Sequence, residues 1–210
     1  MRDCRSKRWG MIAAVAGVMI LVGVSGCPEA GVGGSGRKLF YSIGETGPGG
    51  GVVFYDKGAY SDGWRYLEAA PQETEWTNKP WGNTGKRLWA EGTAIGTGEY
   101  NTLVIVNAYA GYESGDERIG DSAAVLCWYL EYPNWWFMGW HLPSIDELEL
   151  MYENLHLQGI GDFASSWYWS STEYVEEWTG NRAFSVNFDT GDQYIDFKSF
   201  EYRVRAVSRF

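Results

Sequence analysis

The residues able to do chemistry in this 210-residue chain are few in kind. Two histidines, His141 and His156, stand in different contexts. Neither has Cys or His at metal-ligand spacing, so no zinc site is expected. Carboxylates are plentiful: Asp146, Glu147, Glu149, Glu153, Glu173, Glu176, Glu177, Asp189 and Asp192. A glycosidase would need two of them some 5 to 10 Å apart (roughly), but in an acidic chain solvated faces explain most carboxylates. No Gly-x-Ser-x-Gly elbow occurs. The run Gly47-Pro48-Gly49-Gly50-Gly51 lacks a closing Gly-Lys-Ser/Thr and is followed by a strand pattern, so it reads as a turn and not a phosphate loop. Cys127 lies in the apolar helical run Ala123–Trp128 and reads as a buried structural thiol. What remains is non-covalent recognition. Aromatic rings offer flat apolar faces, while Asn, Asp and Gln add directional hydrogen bonds. Between Glu173 and Lys198 the candidates are Tyr174, Trp178, Asn181, Arg182, Asn187, Asp189, Asp192 and Tyr194. Their bland alternative is hairpin tips on a solvated sheet.

Several elements must position these groups. Val52–Tyr55 reads as a strand, Lys57–Gly63 as a turn and Trp64–Ala70 as the returning strand, ended by Pro71. Residues 72 to 99 read as a long loop carrying Trp76, Trp81 and Trp89. Asn101-Thr102 reads as the cap of a short helix, Leu103 to Ala110, followed by a second helix over about Ile119 to Glu131. Pro143 ends an extended segment. Ser144 then caps a third helix, with Glu147 completing a capping box and Ile145, Leu148, Tyr152 and Leu155 on one stripe to about Leu157. Trp167–Thr172, Arg182–Phe188 and Gln193–Lys198 alternate as strands, with Asp189-Thr190-Gly191-Asp192 as a hairpin turn. Tyr202–Val207 reads as the closing strand, with Val204 and Ala206 inward and Arg203 and Arg205 outward. Each strand of this meander shows one apolar face and one polar face. The aromatic run Trp135-Trp136-Phe137, set after Pro133 and Asn134, is either core or a protruding contact, in which case Trp135 and Trp136 touch a ligand.

The N-terminus reads as a targeting segment. Arg2, Arg5, Lys7 and Arg8 precede an apolar run, Met11 to Val24, of signal-peptide length. Val24-Ser25-Gly26-Cys27 resembles the bacterial lipobox, which implies cleavage after Gly26 and acylation of Cys27. Residues 1–26 are thus expected to be a lipoprotein signal peptide, 27–39 a Gly-rich tether and 40–210 a single domain. Cleavage removes four of 17 basic and one of 27 acidic residues, leaving 13 against 26 and a formal charge of −13. Such a field repels nucleic acid and sulfated polysaccharide. Cys127 would be the one thiol left in the mature domain, so no internal disulfide is expected.

Three motifs in order carry a family resemblance. Leu142-Pro143-Ser144 with Glu147-Leu148, then Tyr168-Trp169-Ser170-Ser171-Thr172-Glu173-Tyr174, then Tyr202-Arg203-Val204-Arg205-Ala206-Val207 resemble the Lcl-type C-terminal domain of a collagen-like bacterial adhesin. The resemblance begins near Tyr41–Gly51 and runs to the end. It implies an α+β, C-type-lectin-like fold, with two to three helices packed on antiparallel hairpins and long loops. It further implies a cell-surface binding or adhesion module, lipid-anchored and non-catalytic, that takes a glycan or protein ligand; a homotrimer is possible, because the adhesin relatives are trimeric. An envelope assembly protein that binds a sister protein is the alternative, and a glycoside hydrolase stands third. Calcium-dependent lectins carry Glu-Pro-Asn or Gln-Pro-Asp and a later Trp-Asn-Asp. Tyr132-Pro133-Asn134 departs from the first and the second is missing, so no metal and no cofactor is expected. Outer-membrane attachment facing the cell exterior is the expected location.

Overall fold

The computed structural model describes residues 39–82, 85–109, 120–134, 139–175 and 179–210. The signal peptide, Cys27 and nearly all of the tether lie outside the described residues, as do Trp135, Trp136 and Trp178. Residues Lys38–Phe210 form one compact unit. Its class is α+β: among the described residues there are three α-helices and two sheets. No helix among those residues is long and apolar enough to cross a membrane.

The first sheet starts with a hairpin, β1 (Val52–Ser61) and β2 (Trp64–Ala69). The turn is tighter than the expected Lys57–Gly63. β1 runs on to Ser61, and only Asp62 (φ 52°) and Gly63 (φ 87°) lie between the strands. A two-residue turn with positive φ at both positions favours Asp-Gly, because it matches the strand twist and glycine carries no Cβ.

The long segment after Pro71 is not all loop. It contains β3 (Trp76–Pro80), which joins the second sheet, and it ends in α1 (Gly98–Tyr109). Asn101 and Thr102 do not cap that helix; they lie inside it, fully buried. The Asn101 amide instead clamps the loop, accepting from Gly92 N at 3.0 Å and donating to Gly92 O at 2.6 Å. A second helix, α2 (Ala123–Trp128), is shorter than expected and buries Cys127, whose thiol is pushed up by desolvation.

The third helix, α3 (Ile145–Asn154), starts as its sequence implies. Ser144 Oγ accepts from Glu147 N at 3.3 Å, and Ser144 N donates to Glu147 Oε2 at 2.8 Å. The buried stripe is Ile145, Leu148, Met151 and Leu155. A 3-10 turn over His156–Gln158 follows, closed by Gly159 at φ 68°.

The second sheet then adds β4 (Trp167–Tyr174), β5 (Arg182–Asn187), β6 (Gln193–Phe197) and β7 (Glu201–Val204), in the order β3-β7-β4-β5-β6. All its pairs are antiparallel except β4 with β7. The closing strand of the sequence reading is in fact two. After Val204 the chain leaves the second sheet, and β8 (Val207–Arg209) pairs with β2 in the first. Val204 and Ala206 are buried as expected, but Arg205 is also buried, at 2 % exposure. Alternation fails at Arg205 because the strand breaks there. Its guanidinium turns inward to Glu75 Oε2, through Nε at 2.9 Å and Nη2 at 2.6 Å, and donates to Ala70 O and Gly161 O.

Two cores flank the second sheet. One gathers Trp81, Trp140, Trp169, Val204 and Ala206 with α1 and α2; the other gathers Phe54, Leu67, Ile145, Leu148, Tyr168 and Phe188 with α3. Each buried indole has a partner: Trp81 Nε1 donates to Ser170 O at 2.7 Å and Trp169 Nε1 to Lys79 O at 3.0 Å. The Glu75–Arg205 pair, its side chains 4 % and 1 % exposed, ties the break between the sheets to the 71–75 turn. Glu75→Gln leaves the Arg205 charge buried without a counter-charge. We expect a loss of about 3–5 kcal/mol in urea unfolding, whereas Arg203→Gln, on the exposed side of the same carboxylate, costs much less.

Candidate binding face

The strands β4, β5 and β6 carry Tyr174, Arg182, Asn187 and Tyr194 of the recognition residues foreseen from sequence, but on two opposite faces. Register decides this, since residues two apart share a face. Tyr174 and Arg182 are direct cross-strand partners, and Arg182 pairs in turn with Phe197. Tyr174 packs edge-on against Phe184 at 5.7 Å, and the Arg182 guanidinium lies 4.8 Å from the Phe197 ring. Tyr194, opposite Ser185, is on the other face, where it meets Trp167 edge-on at 4.5 Å. Trp167 stacks on Tyr202 at 5.5 Å, and Tyr202 continues to Trp169 at 4.5 Å.

The remaining candidates hold the hairpin together. Asn187 Oδ1 accepts from Asp189 N at 2.9 Å and Asn187 N donates to Asp192 O at 3.0 Å, so Asn187 organises the turn. Asp189 and Asp192 are exposed at that turn. Asn181 O accepts from Lys198 N at 2.8 Å at the opposite end of β5.

Sequence reasoning missed Ile195, Phe197 and Phe200. The alternation of 193–198 put Ile195 and Phe197 on the apolar face of their strand. They are 37 % and 45 % exposed, and Phe200 is 45 % exposed. β6 is the last strand of its sheet, so among the described residues no further strand shelters these side chains on that side. Phe200 bridges the two faces, 5.8 Å from Phe197 and 6.1 Å from Tyr202. The polar group amid these rings is Asp196, which accepts from Ser185 Oγ at 2.7 Å and from the Tyr202 hydroxyl. Burial, followed by the Asp196 charge, raises the Tyr202 phenol. Elsewhere on the surface Trp89 is 65 % exposed, with the Arg87 guanidinium 3.7 Å from its ring.

The buried acids Glu68, Glu147 and Glu173 are occupied in holding loops. Glu68 accepts from Gly49 N and Gly51 N, each at 2.9 Å. Glu147 accepts from Ser144 N and from Gly96 N at 2.7 Å. Glu173 accepts from Leu88 N and Trp89 N and is paired with Lys198, both side chains fully buried. The Lys198 ammonium is lowered by desolvation and lies 4.4 Å from the Trp81 ring. His141 is 1 % exposed, with Nδ1 3.1 Å from Gly139 O and Nε2 3.9 Å from Glu147 Oε2. A carbonyl beside Nδ1 puts the ring proton there. Among the described residues no group of three or more His, Cys, Asp or Glu is arranged to hold a metal ion.

Burial pushes Glu68 and Glu147 up to about 7 from an ordinary 4.5, and pulls His141 down to about 4 from 6.5. What each glutamate contributes to stability is complete below 4.5 and is lost as pH rises through about 7. The His141 contribution has the opposite sign: complete above 6.5 and lost as pH falls toward 4. Two groups oppose one between those limits, so we expect a higher thermal midpoint near pH 5.5 than near pH 8 (roughly the limits of the two shifts). Glu68→Gln should shrink that difference; an unchanged difference in calorimetry would show that Glu68 is not its source.

No protein-family model matches the chain, and no curated protein matches it.

Proposed function

We propose that this chain is an exported bacterial lipoprotein, anchored through Cys27, whose Lcl-type, C-type-lectin-like domain binds a glycan or protein ligand without transforming it. The observation that carries the reading is the aromatic end of the second sheet. Tyr194 on one face, Phe197 on the other and Phe200, which reaches toward both, are each more than two-fifths exposed at that edge, with Asp196 fixed on the Tyr194 face. An exposed aromatic cluster of this kind on a well-packed scaffold is where interface energy concentrates. The acids are meanwhile committed to backbone N–H groups and to Lys or Arg partners. The lectin-like assignment is supported by the α+β build, by the helix that opens at Ser144, and by the segment 202–207 that passes from one sheet to the other.

The chemistry of the face also favours the second reading, an envelope protein that binds another polypeptide. Ile195, Phe197 and Phe200 offer no side-chain hydrogen bonds, and sugars need them beside a stacking ring. Both readings use the same surface, so one experiment addresses both. The full chain in detergent is applied to glycan and matrix-protein arrays, and turnover of any captured ligand is followed. Capture is expected, with no turnover, and Tyr194→Ala and Phe197→Ala should each weaken it about tenfold, or about 1.4 kcal/mol. Capture indifferent to both substitutions would place the ligand elsewhere. Product release that disappears on converting Glu147 or Glu173 to Gln, in a variant that still folds, would replace binding by catalysis.

A further inference from the structure

A sheet edge presents unpaired N–H and C=O groups, and folded proteins usually cover or blunt it. This domain has four such edges, and three are dealt with. β1 is covered over its first half by Gly44 N to Val53 O at 2.8 Å and Val53 N to Glu45 O at 2.9 Å. Its second half carries Lys57, a glycine at φ 87° and a register irregularity between Asp56 and Ser61. β8 is short and exchanges bonds with His141, Val207 N to His141 O at 2.9 Å and the reverse at 2.8 Å. β3 holds Asn78 at φ 55°, then Lys79 and Pro80, with a register shift between Trp76 and Lys79.

β6 has none of these devices. Its five residues pair with β5 in unbroken register and include no Lys, Pro or Gly. Tyr194, Ile195 and Phe197 are 43 %, 37 % and 45 % exposed. Its one charge, Asp196, is turned back to Ser185 and Tyr202 of its own domain and so does not guard the edge. Among the described residues no other strand lies beyond it.

The hydrogen-bond pattern shows which groups point outward. Asn187 N donates to Asp192 O and Lys198 N to Asn181 O, so the even-numbered residues of β6 face β5. The N–H and C=O of Gln193 and Ile195 and the N–H of Phe197 therefore face away from the sheet, while Phe197 O already accepts from Phe200 N at 2.8 Å.

We propose that β6 pairs antiparallel with β6 of a second copy of this chain, about a two-fold axis through Ile195. Two identical antiparallel strands place residues of equal parity opposite each other, so the axis passes through a residue. An axis through Tyr194 sets Asp192 against Asp196, and an axis through Asp196 sets that carboxylate against itself. Like charges directly opposite are destabilising. The axis through Ile195 avoids both. It sets Ile195 against Ile195, Gln193 against Phe197 and Tyr194 against Asp196. It is also the register in which each of the three outward-facing residues finds a partner, Ile195 exchanging bonds with Ile195 and Phe197 N donating to Gln193 O, where the other two registers leave one residue unmatched. The contact is isologous and closes after two chains. It is independent of the ligand reading, because it uses the backbone edge of β6, and its failure leaves the array result standing.

The test uses the full chain in detergent with Ile195→Cys. Residues opposed across a two-fold, hydrogen-bonded pair have Cα atoms about 5.5 Å apart, inside the range a disulfide spans. Mild oxidation is expected to convert most of the Ile195→Cys chain to a covalent dimer. Tyr60→Cys, 71 % exposed on β1, should give little. Ile195→Pro removes an outward N–H that serves no bond within its own domain. It is expected to lower the sedimenting mass from dimer to monomer with the thermal midpoint nearly unchanged. A monomeric unsubstituted chain, with Ile195→Cys linked no more than Tyr60→Cys, overturns the proposal. So does a cross-link at position 195 found only to a different protein.

Discussion

Backbone N–H groups outside regular structure have to be satisfied wherever they are buried, and three glutamates serve that need in this domain. Glu68 holds the 47–51 turn, Glu147 the 96–98 approach to α1, and Glu173 the 88–89 bend beside the exposed Trp89. Glu75 does the equivalent with cations and a phenol, gathering Arg203, Arg205 and Tyr168. An orphaned buried donor costs about 1–3 kcal/mol. A carboxylate that takes two or three donors therefore fixes a loop more firmly than apolar contact alone. Each also fixes what its loop tolerates: a Cβ at Gly98 would collide with Glu147 Oε2, so the glycine and the carboxylate depend on each other.

That arrangement lets a domain with long irregular segments hold a sheet still between two cores. The Glu173–Lys198 pair sits where β4, the 85–90 loop and the end of β6 converge, linking the loop that carries Trp89 to the edge strand. Lys198 anchors to Lys86 O and lies over Trp81. The strands β4 and β6 are thus braced by a charge pair buried behind them. Their exposed rings need no further support, and an exposed aromatic contributes most to binding when its backbone is already ordered.

Local chemistry was legible in the sequence, and partnership across the fold was not. The Ser144–Glu147 capping box is a four-residue signal, and it sits in the structure as its spacing implies. The Asp62-Gly63 turn was equally local, but the glycine at 58 lengthened the apparent loop and hid it. Glu68 and Glu75 carry no signal of their own, since their donors are 17 to 19 and 93 to 130 residues away. Arg205 misled for a related reason. Alternation assumes that a strand continues, and this one ends at Val204 so that the chain can change sheets.

The edge strand shows the same boundary from the other direction. The alternation in 193–198 marks a strand, and the structure has one over Gln193–Phe197, but alternation does not tell whether the apolar face is covered. Position in the sheet decides that, and position is set by the jump of β7 to the far side of β4. Had β7 continued the meander beside β6, Ile195 and Phe197 would have lain in the sheet's interior and the edge would have been closed by this chain itself. Because β7 inserts between β3 and β4 instead, β6 is left as a strand whose composition suits a central position but whose place is peripheral. A strand of that kind keeps the residues of a central strand while it lies at the edge, and that mismatch is what topology imposed on it.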